Sequence, residues 1–308
     1  MFWAASGGAP GATVRWADDE PHERLNKRGA LLLIPESHVR EIIMRVGDVT
    51  PQLYSKAAIK FENGKNRHIW NTAVEHYIIQ AYLLDMYESA QAPDTWNSAA
   101  NPAAAELRAR VQRLLLLADS ANCGLMWDFA DFNINHWDTA LELLFDRLSH
   151  VLISQGLPRH QHIAGELAEI ELDILACTRW VIVAKKNMFL YDPETGFGAQ
   201  VIRSLQSGER ATSFTNTTLN RAYKHMHYRY STQYLGRQLL ADPSWHQGDD
   251  VFELTKCMSD AVLACHVYNI LGMAGQNYKI CLDFSNRGEF LRFSYDPTTG
   301  TIAGYPIR

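Results

Sequence analysis

Apolar and polar positions recur along this chain with two periods, and the changes of period mark its elements. Residues 71–92 (NTAVEHYIIQAYLLDMYESAQA) repeat with helical spacing. Residues 93–103, with Pro, Asn and Ser, read as a loop. A second helix is predicted through AAAELRARVQRLLLLAD, residues 103–119. Residues 138–155, 160–184 and 209–224 read as further helices, and 253–273 as a long amphipathic one. Residues 124–132 (GLMWDFADF) form a short apolar run that starts with Gly and ends in a polar cluster, which suits a buried strand. Around Gly248 the pattern is short strand, tight turn, short strand. Asp192, Pro193 and Gly196 mark a turn. The tail from Gly288 alternates like strands around a Pro-Thr-Thr-Gly turn. Residues 1–28, rich in Gly, Ala and charge, read as a loosely ordered lead-in. Helices and strands are interspersed without a βαβ rhythm, so the expected class is α+β.

The 308 residues suffice for a sizeable core, in two compact units or one large unit with subdomains. At 47% hydrophobic and 20% charged, the composition is that of a globular chain, not a disordered one. The net charge of −5 argues mildly against a nucleic-acid binder, which neutralises phosphates with basic residues. Clustering of the basic residues therefore matters more than their number. Five cysteines without CxxC spacing argue against a disulfide framework or a zinc ribbon and for a reducing setting. The N-terminal residues lack the pattern of a signal peptide. The apolar runs Leu31–Ile34 and Leu114–Ala118 fall far short of the ~20 residues of a membrane span, so no membrane partner is expected.

Four segments carry candidate chemistry. In KAAIKFENGKNRHI, residues 56–69, the basic residues Lys56, Lys60, Lys65 and Arg67 crowd together in an otherwise acidic chain. Alternation suggests an extended ribbon, and such a cluster could clamp a triphosphate. A solvated strand edge guarded by Lys is the plainer alternative. In WDFADFNINH, residues 127–136, Asp128 lies inside an apolar run, where a carboxylate is costly without a partner and a hard cation would supply one. Asp131 or Asn133 could instead cap the next helix. In SGERATSFTN, residues 207–216, Thr212 and Asn216 share a helix face after a flexible Ser207-Gly208 step, and could read a ribose hydroxyl. An ordinary N-cap with a polar surface accounts for the same residues. In HQGDDVF, residues 246–252, Gly248 permits a sharp reversal and the adjacent carboxylates of Asp249 and Asp250 repel unless a cation compensates. A plain Gly-Asp surface turn is the alternative.

Taken together these segments suit one chemistry. Asp128 and Asp249, from neighbouring strands, would hold two magnesium ions about 3.5–4 Å apart for an in-line phosphoryl transfer. The basic segment would neutralise the triphosphate, while Asn133, Thr212 and Asn216 inspect the sugar.

The chain resembles viral RNA-dependent RNA polymerases, most closely those of totivirus-like double-stranded RNA viruses. KFENGKNR is similar to their fingertip motif, DFADFNINH to motif A, SGERATSFTNTTLN to motif B, GDD to motif C, AGQNYKICLDF to motif D and GEFLRFSY to motif E. All six occur in family order over residues 56–295. The resemblance implies a right-hand polymerase fold: an antiparallel palm sheet flanked by helices, helical fingers and a thumb largely missing. The implied organisation is a lead-in at 1–28, fingers at 29–115, palm with motif A at 116–145, a fingers insertion at 146–205, palm with motifs B to E at 206–295, and the start of a thumb at 296–308.

The resemblance further implies that Asp128 and Asp249 bind the metals with Asp250 as accessory ligand, and that Lys279 protonates the leaving pyrophosphate. Lys60, Lys65, Arg67, Asn133, Ser207, Gly208, Thr212 and Asn216 would contact the nucleotide, and Glu289 to Arg292 would abut the primer strand. Implied cofactors are Mg2+ or Mn2+. Implied partners are an RNA template and nascent strand, nucleoside triphosphates and a viral capsid protein, with synthesis inside the particle in the host cytoplasm. Two departures stand out. Many such polymerases have Asp where this chain has Asn133, although an amide can still bond a hydroxyl. The chain also stops soon after motif E, which reads as a partial sequence.

Two rivals remain open. A reverse transcriptase would usually show Tyr-x-Asp-Asp and lack the motif B pattern. A non-catalytic RNA-binding or structural remnant of a polymerase would suit the acidic charge. The pairs His160/His162 and His225/His227 lack ligand partners at metal spacing and read as surface histidines. The stripe Glu166, Glu169, Asp173 reads as a solvated face.

Overall fold

The computed structural model describes residues 8–14, 23–62, 65–90, 97, 103–155, 164–276, 280, 282 and 286–304. The chain divides into two compact units: Met1–Ala90 with His136–Thr212, and Gln91–Asn135 with Ser213–Arg308.

In the first unit, β1 (Gly8–Val14) and β2 (Glu23–Asn26) pair antiparallel within the segment expected as a lead-in. Two short helices follow, α1 (Lys27–Leu33) and α2 (Glu36–Met44). β3 (Leu53–Glu62) and β4 (Lys65–Thr72) form the expected ribbon, paired antiparallel from Ser55↔Thr72 to Glu62↔Lys65. β3 alternates as a half-buried strand should, with Leu53, Ser55 and Ala57 buried and Tyr54 exposed between them. The ribbon extends into a sheet that the sequence pattern did not reveal. β6 (Met188–Tyr191) adds parallel to β3, and β7 (Gly198–Val201) adds antiparallel to β6, giving the order β4-β3-β6-β7. The β6–β7 turn is the one marked by Asp192, whose carboxylate accepts from Glu194 N at 3.0 Å and Thr195 Oγ1 at 2.7 Å.

Helix α3 (Val74–Ala90) is buried nearly all round, by Ile78, Ile79, Leu83 and Leu84 but also by His76 and Gln80. A helix apolar on every side belongs in a core, so the two polar residues inside it need partners. α5 (Asp138–Ser154) and α6 (Ala164–Lys186) complete this unit. α6 ends in Lys185 and Lys186, the charge sign that suits a helix C-terminus.

The second unit is built on a three-stranded antiparallel sheet of order β5-β9-β8: β5 (Cys123–Leu125), β8 (Leu240–Gln247) and β9 (Asp250–Thr255). Period-two alternation gives it two apolar faces. Leu125, Trp127 and Val251 join Ala264, Val267 and Tyr268 of α8 (Met258–Ile270) on one side. Met126, Phe252 and Leu254 join Ala109 and Leu117 of α4 (Ala103–Ala118) on the other, together with Phe290 and Tyr295. That packing explains why α4, assigned from sequence to the stretch 29–115, clusters with the second unit. Strands β10 (Gly288–Phe290), β11 (Phe293–Asp296) and β12 (Thr301–Gly304) form an antiparallel meander, with the Pro-Thr-Thr-Gly turn between the last two. Helix α7 (Thr212–Leu235) starts on the last residue of the first unit and continues in the second.

The stretch 253–273 is not one helix. Its first three residues finish β9, and α8 begins at Met258. The pair His225/His227 is not a surface pair. His225 is exposed, but His227 is fully buried, with Nε2 3.1 Å from the Ala264 carbonyl and its ring 4.6 Å from that of Tyr268. Burial pushes its imidazole down to about 4. His160 and His162 lie outside the described residues. Among the described residues no helix is long and apolar enough to cross a membrane.

Candidate active site

Both acidic segments belong to the second unit. Strand β5 pairs with β9 in the register Cys123↔Thr255, Gly124↔Leu254, Leu125↔Glu253. The pairing ends at Leu125, short of position 128, which the same register carried onward would set opposite position 250. Neither Asp128 nor Asp249 is held inside the sheet. The strand expected over 124–132 stops at Leu125, and Asp128 lies three residues beyond it. Asp249 sits in the two-residue loop between β8 and β9, and Asp250 is the first residue of β9.

Local interactions explain why the chain leaves the sheet after Leu125. The Asp128 carbonyl accepts from Gln276 N at 2.8 Å, Ala130 N donates to the Ala274 carbonyl at 2.8 Å, and Phe129 bridges Gly275. A Cβ on Gly275 would lie 2.6 Å from the Trp127 ring, so only glycine lets this strap approach. Asp131 takes the left-handed conformation, φ 50°, and starts the turn that ends the segment. Asp128 is thereby half-buried, while Asp249 and Asp250 are exposed.

The hairpin tip is fixed from α7. Gly248 has φ +64°, as tight hairpin loops require, and nothing lies within 4 Å of where its Cβ would stand. Its N–H donates to Thr217 Oγ1 at 2.8 Å. Asn220 Nδ2 donates to the carbonyls of Gly248 and Asp249 at 3.2 and 3.4 Å. One turn further along, Lys224 Nζ donates to the Ala241 carbonyl, the Asp242 carboxylate and Ser244 Oγ at 3.1, 2.6 and 2.8 Å. Residues 217, 220 and 224 are spaced three and four apart, so a single face of α7 holds the hairpin. From the same helix, Asn216 Nδ2 donates to Asn133 Oδ1 at 2.7 Å, joining the two amides singled out in the sequence.

Lys60, Lys65, Arg67, Ser207, Gly208 and Thr212 belong to the first unit. Lys60, Lys65 and Arg67 lie on the β3–β4 ribbon, with Lys60 and Arg67 cross-strand partners. Ser207 is exposed, and its Oγ accepts from Trp70 N at 3.1 Å. Gly208 bridges Asn71, and its carbonyl accepts from Thr72 Oγ1 at 3.3 Å. A Cβ there would stand 2.2 Å from the Trp70 carbonyl oxygen. Thr212 Oγ1 donates to the Gln206 carbonyl at 2.7 Å, closing the loop before α7. Lys279 lies outside the described residues. Glu289 is on β10, and Arg292 has φ +64° in the turn that follows.

Carboxylate oxygens are the donors that magnesium-type cations take. Such an ion is usually held by one or two carboxylates and completed by water and phosphate. Asp128, Asp249 and Asp250 carry carboxylates of that chemical kind. Among the described residues no three His, Cys, Asp or Glu side chains are gathered to enclose a metal by themselves.

Over residues 19–308 the chain matches the family model described as viral RNA-directed RNA-polymerase. The chain belongs to that viral polymerase family. Its relatives include the "Probable RNA-directed RNA polymerase" of Saccharomyces cerevisiae virus L-BC, 23% identical over 288 residues, which are 94% of this chain and 17% of the relative. The protein of the same name from Helminthosporium victoriae virus-190S is 26% identical over 76% of this chain and 25% of its own length. That of Saccharomyces cerevisiae virus L-A is 26% identical over 82% and 15%. The chain thus spans a quarter or less of the length of these relatives. The crystal structure of the RNA-dependent RNA polymerase of a human picorbirnavirus superimposes with a TM-score of 0.52 at 16% identity, covering 80% of this chain and 43% of that one. Its insertion-loop deletion mutant gives 0.56 at 15% identity, covering 80% and 45%. The family fold is therefore the right-hand polymerase fold, within the α+β class expected from the sequence.

Several site-building residues are not among the predicted ones. Thr217 and Asn220 fall inside the motif B stretch and Lys224 lies one turn beyond it, and their spacing of three and four on α7 is the signal that finds them. Glu209 is inside the Ser-Gly-Glu-Arg step, yet its partners Lys185 and Gln80 come from distant helices and leave no local trace.

Proposed function

We propose that this chain is the catalytic core of an RNA-dependent RNA polymerase that extends an RNA 3′ end on an RNA template by two-metal nucleotidyl transfer. The reading rests chiefly on the family match over residues 19–308, with Asp128 and the Gly248–Asp250 hairpin tip both in the unit built on the β5-β9-β8 sheet.

In this reaction the 3′ oxygen of the growing strand attacks the α-phosphorus of a nucleoside triphosphate. The bond to the β-phosphate oxygen breaks, and pyrophosphate leaves. Divalent ions, magnesium or manganese, would supply charge neutralisation on both oxygens when bound. Asp128 and Asp249 would hold them, with Asp250 as an accessory ligand. Lys60, Lys65 and Arg67 would offset the triphosphate charge, and Lys279 would give a proton to the leaving pyrophosphate. The Asn133–Asn216 amide pair and the Ser207–Gly208 loop would read the sugar. An amide pair both donates and accepts, as a ribose hydroxyl requires. In the whole protein, RNA template, nascent strand and capsid protein would be the partners, inside a particle in the host cytoplasm.

The direct test is primer extension on an RNA template by the full-length protein and its Asp249→Asn variant. Loss of a carboxylate that stabilises transition-state charge should lower the rate by at least about 10²–10³. Retained activity would remove Asp249 from the chemistry and the reading with it.

A further inference from the structure

Within the first unit, the loop Gln206–Ala211 is pinned by a buried polar network that the chemistry above does not use. Glu209 is 6% exposed and Lys185, at the end of α6, is 1% exposed. Their side chains form an ion pair with hydrogen-bonding contact. The same Glu209 carboxylate accepts from Gln80 Nε2 of α3 at 2.8 Å and from Gln206 N at 3.0 Å. Gln80 Oε1 in turn accepts from Ala211 N at 3.0 Å. The loop is therefore tied at 209 and 211 to two helices and closed on itself from 206 to 209, and on its other flank Ser207 and Gly208 are tied to β4.

Burial alone would push the Glu209 carboxyl up. The Lys185 ammonium, the nearby His76 and the hydrogen bonds outweigh that and hold it below its ordinary value. A buried ion pair adds little net stability, because desolvation offsets the attraction. What it does supply is direction: this arrangement pairs the two buried charges, and others leave one unpaired.

We infer that Lys185 and Glu209 are positioning residues which set the Ser207–Gly208 loop in the conformation that reads the incoming ribose. The inference rests on the polymerase reading. It assigns ribose discrimination partly to residues that never touch the nucleotide.

The test uses the full-length protein with Lys185→Met combined with Glu209→Gln, which removes both charges together and avoids leaving one buried alone. Amide hydrogen exchange over residues 206–211 is measured alongside single-nucleotide incorporation with matched ribo- and deoxyribonucleoside triphosphates. Loss of one well-placed hydrogen bond to the sugar corresponds to about tenfold. The double variant should therefore exchange faster over 206–211 and lose about tenfold of its ribose preference. That change should appear in KM for the ribonucleotide, with kcat within about threefold of the parent. Unchanged exchange, or faster exchange with parental ribose preference, overturns the inference. Should the double variant not fold, Lys185→Arg keeps the charge but moves the donors, and a preference unchanged in that variant overturns it equally. Faster exchange in a protein whose parent form incorporates nothing would leave the loop device standing and overturn the polymerase reading instead.

Discussion

Glu209 and Glu253 are both buried glutamates, one in each unit, and their carboxyls are shifted in opposite directions. Glu209 meets the Lys185 ammonium and two N–H donors, and its carboxyl is held below the ordinary value. Glu253, on β9 four residues after Asp249, meets the phenol of Tyr268, which lies 2.9 Å from both carboxylate oxygens. Burial pushes that carboxyl up to about 7, although Lys224, the Tyr268 bond and Arg221 oppose the rise. The same side chain is thus held below its ordinary value where a buried cation touches it and raised above it where only a hydroxyl does. Burial cannot be read as charge state until the partner is named.

The comparison is broken most forcefully from the Glu209 side. Lys185→Met leaves a buried carboxylate without its cation, which costs about 3–5 kcal/mol. Adding Glu209→Gln should recover most of that loss, because a neutral pair in the same space escapes the desolvation penalty. Denaturant unfolding of the parent, both single variants and the double variant measures the coupling. A double variant as unstable as Lys185→Met would show that the cation matters for packing rather than for charge.

The opposite sign is expected at Glu253. Its folded value lies above the ordinary 4.5, so its contribution is fully present below pH 4.5 and is lost as pH rises through about 7. That difference amounts to about 3 kcal/mol. Glu253→Gln stays neutral at every pH. Relative to the parent it should gain about 2–3 kcal/mol between pH 5 and pH 8. His227, whose imidazole burial pushes down to about 4, works in the opposite sense and loses stability as pH falls below its ordinary 6.5. Both curves contain that contribution, so their difference isolates Glu253. Parallel curves at pH 5 and pH 8 would place the carboxyl back in the usual range.

The two motif glycines sharpen the contrast by backbone means. At Gly208 a Cβ would meet the Trp70 carbonyl oxygen at 2.2 Å, so Gly208→Ala must displace β4 or the loop. Overpacking of this kind costs about 1–3 kcal/mol. At Gly248 a Cβ meets nothing, and the cost of Gly248→Ala is that of φ +64°, about 1–2 kcal/mol. Gly248→Asn should restore most of the loss, because Asn tolerates the left-handed region. Gly208→Asn should be worse than Gly208→Ala. Thermal unfolding of the four variants distinguishes a packing glycine from a conformational one, and equal losses at both positions would refute the distinction.

Sequence pattern reached the hairpin at Gly248, the β3–β4 ribbon and most helices because each is signalled by neighbours in the chain. The Asn133–Asn216 contact was legible as chemistry, since both amides sit inside recognisable motifs. The early end of β5 was not, because the strap 274–276 that draws Asp128 out of the sheet is far away in sequence and depends on the bare backbone of Gly275. His227 was misread for a different reason. Helix α7 buries Asn216, Asn220, Lys224, His227 and Ser231 on its inner face, so polarity no longer separates inside from outside. The two buried glutamates share that difficulty: each is an ordinary acidic residue until its partner on another element is known.

The smallest expected effect isolates what the Tyr268 phenol does for Glu253. Tyr268 is fully buried, and its hydroxyl is pushed well above 10 by burial and by the glutamate beside it, so it acts as donor throughout the accessible range. Tyr268→Phe keeps the ring that stacks 5.1 Å from Trp127 and removes only the oxygen. Below the Glu253 transition the loss is that of a neutral hydrogen bond, about 0.5–1.5 kcal/mol. The bond also favours the charged form, so without it the carboxyl rises further and its transition moves above 7. The variant's stability should therefore keep falling at pH values where the parent's has levelled off. If instead the two curves differ by a constant from pH 5 to pH 9, the phenol contributes packing alone, and the contrast between the two glutamates owes nothing to Tyr268.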